Sequence, residues 1–275
     1  MLNPYDLPSH LDSDCDNIVD LWVTAADYST CVVNANNEAT CFGHLQDDYQ
    51  EPNVPFTAIT TNGDSVHCGL DDHFQIQCWS SEHEFFVSTI EDLAYFKDDY
   101  SEDTFLDISQ GDSYVCGLNT NRNILCWDIL DGYSANSPSG EYKKISSSAS
   151  DVSCAINSEG ELNCWNNWWG SISFAIPNGI FLDLDLGEST GCVIDSLLAL
   201  TCFNFESQNA DNPILNPPVG QFKEVVVGNT HACAVAVNGE TRCWGDNDYG
   251  QTDVPEGEFK KLAVGTHHSC GITHS

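Results

Sequence analysis

Hydrophobic and polar residues alternate along this chain in short runs that recur over its whole length. The clearest copy opens with Phe222-Lys-Glu-Val225, runs on to Val235, turns at Asn238-Gly239 and returns through Cys243 to Gly245. Alternation of this kind, rich in Val, Ile and Phe and punctuated by Gly and Asn, is typical of short antiparallel strands. No helical period persists along the chain, so the pattern predicts an all-β protein. The same opening recurs at Phe56…Ile59, Phe105…Ile108, Tyr142…Ile145, Phe181…Leu184 and Phe259…Leu262, and in a weaker form at Ile18…Leu21.

The cysteines follow the same repeat. Seven precede an aliphatic residue by two positions, and six of these have a second cysteine ten positions later. A hairpin with a three-residue loop centred on Asn238 would place Cys233 opposite Cys243, with Cβ atoms about 4.5–5.5 Å apart. Zinc ligands are usually separated by roughly two to four residues, whereas nine intervene here. The spacing therefore favours six disulfides over metal binding: Cys31–Cys41, Cys68–Cys78, Cys116–Cys126, Cys154–Cys164, Cys192–Cys202 and Cys233–Cys243.

The loop of each hairpin needs one residue in the left-handed conformation. Gly239, Gly160 and Asn37 suit that place in three copies, because Gly and Asn tolerate positive φ. Phe74, Arg122 and Leu198 occupy it in the others. We expect those three copies to turn differently.

Two cysteines remain, Cys15 and Cys270, and the count pairs them with each other. The N-terminal segment would then complete the sheet that the C-terminus begins, and seven units closed in this way leave no exposed sheet edge. The prediction is a single domain over 1–275, a seven-bladed β-propeller with one cross-strand disulfide per blade and ring closure by the N- and C-terminal strands. A bond from Cys15 to a neighbouring chain would satisfy the count equally and would give an open polymer. The predicted repeats lie near 18–55, 56–104, 105–141, 142–180, 181–221, 222–258, and 259–275 completed by 1–17.

Charge and cysteine content restrict the compartment and the partners. Forty-two acidic residues against eight basic ones give a formal charge of −34, which opposes binding to nucleic acid or anionic lipid. Fourteen cysteines indicate an oxidising compartment, although the first residues do not resemble a signal peptide. We expect that a leader has been removed or that export takes another route. No run of apolar residues is long enough to span a membrane.

The basic residues show a pattern of their own. Five of the eight follow an opening aromatic at the same place in the repeat: Lys143, Lys144, Lys223, Lys260 and Lys261. We expect exposed strand positions here rather than a binding patch.

The run from Gly228 through Cys233 to Val235, followed by Asn238-Gly-Glu-Thr-Arg-Cys-Trp-Gly-Asp-Asn-Asp-Tyr-Gly-Gln251, resembles a repeat of the regulator of chromosome condensation superfamily. The resemblance is closest to its bacterial secreted branch, which includes the propeller-type β-lactamase inhibitor. It implies a seven-bladed propeller that presents loops to protein partners, since few members are enzymes. The cysteine pairs and the acidic surface oppose the nuclear exchange-factor role, and no binding residue of the inhibitor can be matched here.

Histidines and acidic residues are the candidates for a structural or metal-binding role. His67 stands one position before the first cysteine of its copy, and His231 and His268 stand two positions before theirs. We expect these histidines to bond neighbouring backbone. Asp12, Asp14, Asp16 and Asp20 have the spacing of a calcium loop, although Cys15 inside the run is expected on a strand. Asp246, Asp248 and Asp253 form a second set with weaker spacing. The sequence predicts no cofactor, with calcium as the alternative.

Aromatic residues divide into two groups. Trp79, Trp127, Trp165 and Trp244, with Phe42 and Phe203, follow the second cysteine of a pair and are expected to pack between blades. The candidate binding residues fall outside this pattern, most of them in the longest linker, 80–104: Phe85, Phe86, Tyr95, Phe96, Tyr100, Trp168 and Trp169. Insertions on a rigid scaffold commonly carry binding function, and exposed aromatics anchor interfaces.

The sequence therefore predicts a secreted or cell-surface binding module without catalysis that engages a protein partner. One alternative is a structural subunit of an extracellular assembly, linked through its N-terminal strand. The other is an enzyme acting on glycans through carboxylates at the central channel, which requires two acids about 5–9 Å apart.

Overall fold

The fold was determined from a computed structural model, which describes residues 22–26, 29–34, 36–43, 54–61, 66–80, 103–129, 134–168, 170, 172, 174–205 and 212–273. These residues form seven antiparallel sheets arranged as blades, and they confirm the predicted all-β propeller. Six blades have an inner, a middle and an outer strand, and the last has two strands in the described part of the chain. The part described contains no helix long and apolar enough to cross a bilayer.

The strands are numbered in chain order. Blades 1 to 4 comprise β1 Trp22–Ala25, β2 Ser29–Val33, β3 Ala39–Gly43; β4 Phe56–Thr61, β5 Val66–Asp71, β6 Ile76–Ser80; β7 Phe105–Gln110, β8 Tyr114–Asn119, β9 Ile124–Asp128; and β10 Tyr142–Ser147, β11 Val152–Asn157, β12 Leu162–Asn166. Blades 5 to 7 comprise β13 Phe181–Leu186, β14 Thr190–Asp195, β15 Leu200–Asn204; β16 Phe222–Val227, β17 His231–Ala236, β18 Thr241–Gly245; and β19 Phe259–Val264, β20 Ser269–Thr273. A short 3₁₀ turn, Pro213–Leu215, lies between blades 5 and 6.

The middle and outer strands of six blades are joined by the predicted disulfides. In each blade the two cysteines face one another in the strand register, as Cys233 faces Cys243. All six bonds form, each between cysteines ten residues apart. Cys270 has no disulfide partner among the described residues, and Cys15 lies outside them, so their pairing stays a prediction.

The expectation that three hairpins turn differently is wrong. Phe74, Arg122 and Leu198 have φ of 62°, 67° and 67°, the same left-handed conformation as Asn37 and Gly239. The reason lies in the neighbouring blade. The carbonyl oxygen of Arg122 accepts the backbone N–H of Tyr142 at 2.8 Å, and those of Phe74 and Leu198 accept the N–H of the next opening aromatic at 2.9 Å. The tie between blades therefore holds the turn in a conformation that the side chain disfavours.

The hydrophobic core lies between blades. Phe56 and Trp79, for example, have ring centroids 4.9 Å apart and pack against Cys31 and Val33 of the preceding blade. Trp79, Trp127, Trp165 and Phe203 are buried, which confirms their predicted packing. Phe42 was expected to pack likewise but is 38% exposed.

The ring is closed by direct contact between its first and last blades. The Nε2 atom of His268 lies 2.8 Å from Oγ1 of Thr30, and the Nζ of Lys261 lies 5.2 Å from the ring centroid of Trp22. Gly265 approaches so closely that a Cβ there would lie 2.2 Å from the carbonyl oxygen of Ala26. Closure in the described residues therefore does not depend on the predicted N-terminal strand.

The first blade begins its inner strand later than the sequence pattern indicated. Trp22 pairs with Val33, as Glu224 pairs with Val235 in blade 6. Val23 is thus the equivalent of Val225. The sequence pattern indicates Leu21 for this position, two residues earlier. Trp22 consequently stands where the other inner strands carry charged or small residues.

Candidate functional site

The inner strands of all seven blades line a central channel with a cavity of about 300 Å³. We count repeat positions from the opening aromatic, which is position 1. Position 3 contributes a ring of side chains, most of them charged, at the same level of the channel: Trp22, Ala58, Asp107, Lys144, Asp183, Glu224 and Lys261. The channel is therefore a polar site built by one repeat position.

Burial and pairing determine the charges in this ring. The ammonium group of Lys144 forms a salt bridge with Asp183. Burial opposes the charge of Lys144, but the carboxylates of Asp183, Asp185 and Asp107 outweigh it and raise its pKa. Burial also raises the pKa of Asp185 to about 6 and that of Asp107 above its usual range.

Several channel side chains serve to tie adjacent blades. One carboxylate oxygen of Asp183 accepts the backbone N–H of Val225 at 2.9 Å, and one of Asp185 accepts that of Val227 at 2.7 Å. The other oxygen of Asp185 accepts a hydrogen bond from the hydroxyl of Ser146 at 2.9 Å. Inner strands have a free edge toward the channel, and unpaired backbone groups there would be costly. These carboxylates therefore accept hydrogen bonds from backbone N–H groups at the free edge of the next blade. Their role is structural.

The two ends of the channel differ in composition. We name the turn face as the side that carries the hairpin turns between middle and outer strands, and the loop face as the opposite side. Inner strands start at the turn face, because Phe222 pairs with Ala236 just before the turn of blade 6. Lysines at positions 2 and 3 therefore lie at or just inside the turn-face mouth.

All basic residues in the described part of the chain lie on the turn face or in the adjoining half of the channel: Arg122, Lys143, Lys144, Lys223, Arg242, Lys260 and Lys261. Arg242 pairs with Glu240 at 2.9 Å and Lys144 pairs with Asp183. No carboxylate among the described residues forms a salt bridge with Arg122, Lys143 or Lys223. Because these cations are unpaired, the turn-face mouth carries positive charge on a protein whose formal charge is −34.

The turn face also carries most of the exposed large apolar side chains. Eight of the twelve in the described residues belong to it: Val54, Phe74, Leu106, Ile180, Leu182, Leu197, Val219 and Val237. Leu197 is 75% exposed and Val219 is 95% exposed. Exposed apolar groups gathered on one surface are typical of interaction sites.

A hollow of about 550 Å³ opens at the turn-face mouth. Its walls include the exposed side chains of Leu106 and Leu182 and the basic side chains of Arg122 and Lys143. The depression at the loop-face mouth, of about 340 Å³, has no basic residue in its lining. The hollow therefore combines apolar walls with positive charge.

The predicted binding residues are only partly placed. Phe85, Phe86, Tyr95, Phe96, Tyr100 and Trp169 lie outside the described residues, as do the calcium candidates Asp12, Asp14, Asp16 and Asp20. Trp168 is 39% exposed, follows β12 at its loop-face end, and donates its backbone N–H to Oδ1 of Asn166 at 3.0 Å. Binding of a protein partner by these aromatic residues, and of calcium by these aspartates, remains a prediction.

The second acidic set forms hydrogen bonds within its own loop. Asp246 accepts the side-chain amide of Gln251 at 3.0 Å, and Asp253 accepts that of Asn247 at 3.0 Å. The backbone N–H of Asp248 points at Asp246 at 3.3 Å. The set stabilises the loop, and nothing in this geometry requires a metal.

The histidines are structural, but their partners are side chains instead of the expected backbone. Nε2 of His231 lies 2.8 Å from Oγ of Ser269 in the next blade, as His268 bonds Thr30. Nδ1 of His67 lies 3.5 Å from Sγ of Cys31. Burial lowers the pKa of His67 and of His231 to about 4. Neutral imidazoles therefore sit between blades.

The basic mouth is the feature that sequence reasoning missed. The five lysines do occupy strand positions, as expected, but the structure gathers them around one opening. The signal was available, because blades of a propeller share one orientation and equal repeat positions must lie on the same face.

One repeat of the chain matches a known protein family. Residues 222–251 match the profile of the regulator of chromosome condensation (RCC1) repeat. No curated protein shows significant sequence similarity to the chain. The nearer resemblance to the bacterial secreted branch stays a prediction.

Solved structures share the fold at low identity. The CRINKLY ectodomain of the Arabidopsis thaliana receptor kinase ACR4 is 21% identical with a TM-score of 0.71, over 94% of this chain and 92% of that chain. Prp20p of Saccharomyces cerevisiae, described with its binding to Gsp1p and histones, is 15% identical with a TM-score of 0.67, over 100% and 86% of the two chains. The C-terminal domain of gp131 from bacteriophage phiKZ is 13% identical with a TM-score of 0.60, over 93% and 89%. The chain therefore has the β-propeller fold of these structures, and one of its repeats, residues 222–251, matches the RCC1 repeat.

Proposed function

We propose that this protein is an extracellular, non-enzymatic binding module that docks a protein partner on its turn face. The observation that carries the proposal is the exposure of eight large apolar side chains on that one face. Six disulfides fit an oxidising compartment. The fold is also used by an extracellular receptor ectodomain.

The state of the channel carboxylates supports a role without catalysis. Asp183 and Asp185 accept backbone N–H groups of the next blade, and Asp183 is also engaged by Lys144. A general acid or base must reach a substrate proton. Carboxylates committed to blade contacts are poorly suited to that role.

A test compares two faces with matched variants. Leu197→Asp/Val219→Asp places two charges on the turn face, and Phe42→Asp/Tyr249→Asp does the same away from it, since Phe42 pairs with Thr30 near the loop face and Tyr249 contacts His267 between β19 and β20. All four replaced side chains are exposed, so both variants should fold. Wild type and variants are immobilised, and proteins retained from the producing culture's medium are quantified by mass spectrometry.

Loss of a specifically retained protein in the turn-face variant alone supports the proposal. Loss in a third variant that lacks residues 82–100, with the turn-face variant unaffected, would transfer the site to the linker and to Trp168 and Trp169. A ladder in non-reducing electrophoresis of the wild type would favour the structural-subunit alternative, because bonds between chains would then be present.

A further inference from the structure

The hollow at the turn-face mouth carries charge that the protein itself does not neutralise. Lys144 is paired with Asp183, which leaves Arg122 and Lys143 as the unpaired charges among its lining residues. Asp107 is the one carboxylate in that lining, against the three cations Arg122, Lys143 and Lys144. The local balance is positive on a chain of formal charge −34.

Arg122 occupies a left-handed turn position, as Phe74 and Leu198 do in their copies. It has φ of 67° at a turn place where other copies use Gly160, Gly239 or Asn37. A non-glycine residue there costs roughly 1–2 kcal/mol. In the described structure its guanidinium makes no hydrogen bond or salt bridge, since only its backbone is engaged. The side chain is thus presented outward at some cost in stability.

The apolar walls define the second part of the site. Leu106 is 48% exposed and Leu182 is 57% exposed, and they flank the hollow together with Trp22 and Phe181. Its volume of about 550 Å³ lies within the roughly 300–1,000 Å³ typical of binding pockets. A guanidinium can bind a carboxylate through two parallel hydrogen bonds. Apolar walls beside such a group suit a ligand that has an apolar side chain next to an acid.

We propose that this hollow binds an acidic segment of the protein partner, with a carboxylate on Arg122 and Lys143 and an adjacent apolar side chain between Leu106 and Leu182. The inference rests on the proposed function and specifies the chemistry of the partner. The charge of −34 repels a polyanion that comes within the Debye length, about 8–10 Å, of the surface. The ligand is therefore a peptide with few carboxylates, and nucleic acid is disfavoured.

The test uses a random dodecapeptide library displayed on phage, selected against the immobilised wild-type protein. Enriched peptides are synthesised with a fluorescein label, and their affinity is measured by fluorescence anisotropy. Arg122→Gln/Lys143→Gln removes two positive charges from the hollow. Ala149→Glu/Asn229→Asp changes the net charge equally at the loop-face mouth, where both residues line the opening, and serves as the control.

We expect enriched peptides that place Asp or Glu beside Leu or an aromatic residue. Their affinity should fall roughly tenfold or more in the hollow variant, as for loss of charge-assisted hydrogen bonds, and should change less than twofold in the control. Basic or uncharged enriched peptides, unchanged binding to the hollow variant, or no enrichment would each overturn the inference. The same hollow variant is applied to the partner retained in the capture experiment. Retention that is lost in Leu197→Asp/Val219→Asp but intact in Arg122→Gln/Lys143→Gln leaves the proposed function standing while this inference fails.

Discussion

Replacement of Gly265 by alanine tests whether the first and last blades meet as the closed ring requires. The added Cβ would lie 2.2 Å from the carbonyl oxygen of Ala26 and 2.6 Å from Cε1 of His268. Real Cβ contacts essentially never fall below 3.0 Å. The histidine ring could turn aside, but the carbonyl oxygen of Ala26 is a backbone atom of blade 1. The two blades must therefore separate locally.

The expected cost follows from overpacking, which amounts to about 1–3 kcal/mol in well-packed cores. We expect the upper end, about 3 kcal/mol, because backbone has to move and the contact of Lys261 with Trp22 lies at the same seam. One kcal/mol shifts the Tm of a chain this large by about 2–4 °C. The Tm of Gly265→Ala should thus fall by about 6–12 °C.

Thermal unfolding is followed by tryptophan fluorescence under non-reducing conditions, so that the disulfides remain intact. Gly220→Ala is the control, since its Cβ would meet the Phe222 ring at 3.2 Å and the Arg242 guanidinium at 3.3 Å. Gly220 is exposed and its Cβ would meet only the ends of side chains, not backbone, so the Tm should change by less than about 2 °C. If Gly265→Ala melts as the control does, blades 1 and 7 are not packed against one another.

Three further results are expected. The free energy of unfolding should fall as the pH drops from 6.5 to about 4, because unfolding lets the neutral imidazoles of His67 and His231 take up protons. His67 alone accounts for a loss of up to roughly 3 kcal/mol. The raised pKa of the channel carboxylates Asp107 and Asp185 offsets part of this loss. Tm recorded across this range checks the sign, and a flat profile would contradict it. Peptide mapping without reductant should recover Cys15 bonded to Cys270 in a monomeric protein, whereas free thiols at both sites would refute ring closure by a disulfide. Arg122→Gly should raise stability by up to about 1 kcal/mol through relief of strain while it weakens peptide binding in the hollow, and a lower Tm would show that the turn is not strained.

Strand pairing and the disulfides were predictable because both follow from one spacing. Cys233 and Cys243 are ten residues apart, and that distance fixes hairpin register and covalent bond together. The turn at Arg122 could not be read in the same way. Its left-handed conformation is set by the N–H of Tyr142 in the next blade, so a contact distant from the hairpin overrides local preference. The partners of His231 were missed for the same reason, since the hydroxyl of Ser269 belongs to another blade.

The binding face shows a different limit. Sequence spacing placed Lys143 and Lys223 on strands correctly, but pattern alone does not show what surrounds a channel. The exposed apolar residues Leu197 and Val219 lie in connecting segments whose sequences differ between copies, so no repeat signal marks them. A surface assembled from unlike residues of several blades becomes visible only when the ring is closed.

The confinement of each disulfide to one hairpin bears on how the protein matures. A chain with 14 cysteines has many wrong pairings open to it, yet each of the six bonds joins cysteines only ten residues apart. Short loops close at the lowest entropic cost, so loop closure favours the native partner of every such cysteine over more distant ones. Oxidation can then proceed hairpin by hairpin without an isomerase to correct it. In the described residues no disulfide links one blade to another, so the blades can pack together after oxidation without breaking a disulfide.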